Sequence, residues 1–62
     1  MKEVEIAQFK QIAKKPIWDG DLISKDDRDK LVKAGLAEQE SGFNFITARG
    51  IKLAVEKNVL KS

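Results

Sequence analysis

The chain predicts a mainly α fold with a small β-hairpin, three helices and one two-stranded ribbon, in a single domain over residues 1–62. Three observations carry that expectation. Apolar side chains recur at three- and four-residue steps in Lys2 to Lys14, in Ser24 to Gly35 and again after Thr47. Between the second and third of these stretches, two short apolar-polar runs flank Glu40-Ser41-Gly42, the pattern of strands joined by a tight turn. Finally, a chain of 62 residues has no room for a second core, since at this length folding removes only about 60% of the unfolded surface from water.

Each element has a local cause. In the first helix Ile6, Phe9, Ile12 and Ala13 share one face, while Glu3, Lys10 and Lys14 lie elsewhere. Lys14 and Lys15 suit the negative end of its dipole, and Pro16 stops it near Lys15 because its ring clashes with the preceding turn and it has no N–H to donate. The next segment, Pro16 to Ile23, turns at Asp19-Gly20, with Ile17-Trp18 and Leu22-Ile23 as apolar anchors and Trp18 expected to seal the core. It fits a short strand, a single helical turn or neither. Ser24 opens the second helix, where its hydroxyl oxygen can accept the N–H of residue 27 and Asp26-Asp27 sit at the positive end. Leu31 and Val32 are the expected inward residues, and Gly35 can take the left-handed conformation that closes the helix. Leu36 to Gln39 and Phe43 to Ile46 are the strands, with Gly42 supplying the positive φ of a tight hairpin. Thr47 caps the third helix, whose stripe is expected to be Ile51, Ala54 and Val55, with Leu53 beside it and Val59-Leu60 near its end. Gly50 in its first turn is a poor helix former, which points to a close approach of some neighbouring group there.

Composition narrows the function. Hydrophobic content of 42% and charged content of 35% suit a folded domain rather than a disordered tail. With no cysteine and no histidine there is no disulfide, no thiolate or imidazole metal ligand and no imidazole base, so no cofactor, metal site or enzymatic chemistry is expected. Asp19 and Asp21 flank Gly20 as in the start of a calcium loop, but the later acidic positions and the closing glutamate are missing, which leaves a turn. The longest apolar run is three residues and the N-terminus lacks a leader pattern, so a soluble cytoplasmic protein with no membrane partner is expected. The net charge of +2 conceals a dipole: residues 19–29 carry −3 and residues 48–62 carry +3.

The order of a leucine-containing helix ending in Gly35-Leu36, a hairpin, and the step Ile46-Thr47 to Gly50 into a further helix resembles the second half of a winged helix-turn-helix domain over residues 24–55. Small phage and prophage regulators carry similar compact versions. The resemblance implies a winged-helix-like fold and a DNA-binding, transcription-regulating role in which the helix before the wing meets the major groove of double-stranded DNA. Carried onto this chain, the contact set is Lys25, Arg28, Lys30, Lys33, Arg49 and Lys52, cationic side chains that neutralise phosphate, the arginines also able to pair with guanine edges. The other reading is a protein-interaction module. Phe43 and Phe45 alternate onto one face of the hairpin, where they form either an exposed surface for a protein partner or a second copy, or a part of the core covered by Trp18 or the first helix. The acidic 19–29 surface is a second place for a partner. Asp26, Asp27 and Asp29 on the reading helix, and a wing without lysine or arginine, favour this alternative.

Overall fold

The computed structural model describes residues 2–57. Three α-helices and a small antiparallel sheet follow in the order α1 (Glu3–Lys14), β1 (Ile17–Trp18), a 3₁₀ turn (Asp19–Asp21), α2 (Lys25–Lys33), β2 (Ala37–Glu40), β3 (Phe43–Ile46) and α3 (Ala48–Glu56). The expected two-stranded wing is thus a three-stranded sheet, with strand order β1-β3-β2. Pro16 ends α1 and leads into extended backbone, so Ile17 pairs with Asn44 and Trp18 with Phe43. The segment that fitted a strand, a turn or neither holds a strand and a turn in succession.

Both helix starts are made as the sequence implies. The Ser24 hydroxyl accepts the Asp27 N–H at 3.3 Å, and the Thr47 hydroxyl accepts the Gly50 N–H at 3.0 Å. Thr47 also closes the base of the hairpin, because its hydroxyl donates to the Gly35 carbonyl at 2.6 Å and its N–H to the Leu36 carbonyl at 3.2 Å. Gly35, at φ +76°, ends α2 there. At the far end Ser41 (φ 51°) and Gly42 (φ 82°) are both left-handed, and Glu40 pairs with Phe43 across them, a two-residue turn of type I′.

The core consists of Phe9, Ile12, Ile17, Leu31, Leu36, Ala37 and Ala54, with Leu22, Ile46 and Leu53 packed against it. Helix α1 lies against α2, α3 and β3, and α2 also meets β2. Five expected core residues, Val32, Ile51, Val55, Trp18 and Ile23, are corrected, and Ile23, expected as an anchor, is 54% exposed because only Leu22 of that pair packs on the core. Val32 is exposed, because the inward stripe of α2 is Asp27, Arg28 and Leu31. Ile51 and Val55 are exposed, because α3 turns its Gly50-Ala54 edge inward so that Gly50 lies directly on the Leu36 carbonyl; a Cβ at Gly50 would strike that oxygen and stand 2.7 Å from Ile46 Cγ1. Trp18 is 49% exposed and lies on the outer face of the sheet instead of sealing the core. Val59 and Leu60, expected near the end of the last helix, lie outside the described residues.

Candidate functional site

At the junction of β1, β3 and α2 a polar cluster occupies a place where an apolar layer is the usual solution. Alternation along β3 turns Asn44 inward between Phe43 and Phe45, and its side chain is fully buried. Its amide donates to the Ile17 carbonyl at 3.0 Å and to Asp19 Oδ1 at 2.8 Å, and its Oδ1 accepts from the Arg28 guanidinium at 2.9 Å. Arg28 also donates to Asp19 at 2.9 Å and to Asp29 at 2.8 Å, and the Gln39 amide reaches Asp19 Oδ2 at 3.0 Å. The Asn44 hydrogen bond, followed by those from Arg28 and Gln39 and by the guanidinium charge, holds the Asp19 carboxyl below its ordinary range against the opposing effect of desolvation. Among the described residues no buried side-chain polar atom lacks a partner. This cluster clips the start of α2 to the sheet, as a satisfied buried network does.

The six cations singled out in the sequence therefore separate. Arg28, expected to face DNA, has only 10% of its side chain exposed and is committed to Asp19, Asp29 and Asn44. Lys25, Lys30 and Lys33 are exposed on α2, with Lys30 Nζ 4.0 Å from Asp27. At 100° per residue, the side of α2 opposite Asp27, Arg28 and Leu31 is centred on Asp26, Asp29 and Lys33, so its outermost surface carries mixed charge. Arg49 crosses to the end of α2 and lies 3.4 Å from the Ala34 carbonyl, and Lys52 is exposed on α3.

The aromatic residues, by contrast, come together. The register puts Trp18, Phe43 and Glu40 in one row across the sheet, and Phe45 and Glu38 in the next, all on the face away from the core. Trp18 and Phe43 are in tilted contact, with ring centroids 5.3 Å apart and planes at 59°, and Phe43 is 42% exposed. Two glycines set the place of the indole: a Cβ at Gly20 would stand 2.9 Å from its Nε1, and a Cβ at Gly42 would run into its six-membered ring. Phe45 is half-buried. Phe43 lies on the outer face with Trp18 packed beside it and half open to solvent, and neither Phe43 nor Phe45 belongs to the core cluster.

Sequence reasoning missed two glutamines. Gln8 is fully buried on the apolar side of α1; it donates to Gln11 at 2.8 Å and accepts the Ser24 N–H at 2.8 Å. Gln11 in turn donates to the Asp21 carbonyl and accepts the Ile23 N–H. The pair holds the connection into α2, and its only sequence signal is a polar residue beside Phe9 in the apolar stripe. Among the described residues no group of three or more acidic, cysteine or histidine side chains could hold a metal ion, and no helix is long and apolar enough to cross a membrane. Comparison of the chain with protein-family models, curated proteins and solved structures finds no match.

Proposed function

We propose that this chain is a small protein-interaction module on a winged-helix-like scaffold, and that it captures a protein partner on the outer face of its sheet. The observation that carries the reading is the Trp18-Phe43 pair, two large rings in fixed contact and about half exposed, continuous with Phe45. Aromatic side chains presented on a rigid element supply large contact area with little conformational freedom left to lose, which is the composition of binding hot spots. The commitment of Arg28 to the interior and the mixed charge on the outer side of α2 support the same reading over groove recognition. The test compares the wild-type chain with a Trp18→Ser/Phe43→Ser variant as bait in extracts of the source cells, with amide spectra of both. The variant is expected to keep the wild-type fold and lose the retained partner. Equal retention by both baits contradicts the reading, and so does unfolding of the variant, which would make the rings structural.

A second reading, binding of double-stranded DNA in transcriptional regulation, is favoured by one observation. Arg49 meets the end of α2 at the Ala34 carbonyl, and Lys52 lies about one turn further along α3, so two cations stand at the start of that helix near the base of the wing. Phosphate neutralisation requires affinity for generic duplex to fall steeply between about 50 mM and about 200 mM salt. Absence of that slope rejects this reading.

A further inference from the structure

The outer sheet face is not merely apolar. Its two rows, Glu40-Phe43-Trp18 and Glu38-Phe45, combine three rings with two carboxylates, and none of the strand residues that form it is a lysine or arginine. We propose that this face takes a lysine- or arginine-bearing segment of another protein, one cation lying on the Trp18-Phe43 rings with Glu40 and Glu38 as its counter-charges; the inference rests on the reading of this face as the partner surface. The π-faces of tryptophan and phenylalanine attract a cation, and Glu40 stands next to Phe43 in the register, so ring and carboxylate act on the same charge. Both rings are in place before binding, because Gly20 and Gly42 leave the indole its seat and Phe43 abuts it at 5.3 Å. Nothing in the network behind the sheet competes for the site, since Arg28 is turned inward onto Asn44 and Asp19.

Charge also argues against other occupants. A second copy presenting the same face would set Glu38 and Glu40 against themselves, and nucleic acid would bring phosphate to them. A second copy could instead present its own groove lined by Lys10, Lys14, Lys15 and Ile23, and the oligomeric state tests that arrangement.

The experiment uses fluorescently tagged, blocked short peptides in which leucine alternates with arginine, with glutamine or with glutamate, and reads anisotropy against the full chain. The arginine peptide is expected to saturate and to bind at least about tenfold more tightly than the glutamine peptide, with no binding of the glutamate peptide. Glu38→Gln/Glu40→Gln should shrink the preference to within about threefold, and Trp18→Ser/Phe43→Ser should abolish binding. Equal affinity for the arginine and glutamine peptides overturns the cationic inference while leaving the aromatic-face reading in place. Loss of partner capture by Trp18→Ser/Phe43→Ser without any arginine-peptide binding does the same. Arginine-peptide binding that survives Trp18→Ser/Phe43→Ser puts the contact elsewhere and overturns it too. Concentration-dependent dimers that Glu38→Gln/Glu40→Gln dissolves would make the occupant a second copy, which also overturns it.

Discussion

Arg28 has the chemistry of a DNA contact and the position of a structural post. Its hydrogen bond to the fully buried Asn44 Oδ1 means that Arg28→Ala leaves that oxygen and the Asp19 carboxylate short of a donor. Loss of a charge-assisted buried hydrogen bond is expected to cost about 2 kcal/mol in urea denaturation, whereas Lys25→Ala and Lys33→Ala on the solvent side should stay within about 0.5 kcal/mol of wild type. Similar costs for all three would show that Arg28 is not internal. Asp19 adds a pH signature. Its folded-state pKa lies below the unfolded one, so its stabilising contribution is complete above the unfolded value of about 3.9 and disappears as pH falls through the folded value. The stability difference between wild type and Asp19→Asn should therefore be largest near about pH 7 and shrink as pH falls below the unfolded value, and a difference that grows on acidification would reverse the assignment. None of this pairing was legible in the sequence. Asp19 and Asn44 are 25 residues apart, and neither has a neighbour that announces it.

At the scale of elements, the caps and turns were the legible part. Ser24, Gly35, Thr47 and the Ser41-Gly42 pair act through the backbone within a few residues of themselves, so their chemistry can be read locally. Which side of a short helix faces the core depends on what it meets, and that is where the stripe Ile51, Ala54, Val55 misled. The decisive feature is Gly50 against the Leu36 carbonyl, whose effect on the rotation of α3 no helical periodicity contains. Gly50→Ala is accordingly expected to destabilise by about 2 kcal/mol by overpacking, although alanine is the better helix former. Unchanged or raised stability in thermal melts would deny the close approach. In the turn, Ser41 holds φ 51° without the side chain best suited to it. Ser41→Asn should stabilise by about 0.5 kcal/mol, because asparagine tolerates the left-handed region and precedes glycine in the preferred I′ pair. A loss of stability would show that the turn is of another type.

For the molecule as a whole, three helices around a small sheet account for the buried side chains, and they leave two kinds of surface. One is charged, of mixed sign over α2 and cationic at the start of α3; the other is aromatic, acidic at its margin and gathered on the outside of the sheet. The sequence contained half of the second. Alternation placed Phe43 and Phe45 together, but Trp18 joins them only through the pairing of β1 with β3, a contact between residues far apart in the chain. The dipole between residues 19–29 and 48–62 likewise says nothing about Arg28, because a charge count does not distinguish a guanidinium in solvent from one bonded to Asn44. The most direct measurement is site-specific photo-crosslinking in the source cells, with p-benzoylphenylalanine replacing Phe43 in one variant and Asp29, on the outer side of α2, in another. Protein adducts from position 43 with none from position 29 are the result expected of a partner seated on the sheet. Adducts to DNA from position 29, with position 43 silent, would contradict it.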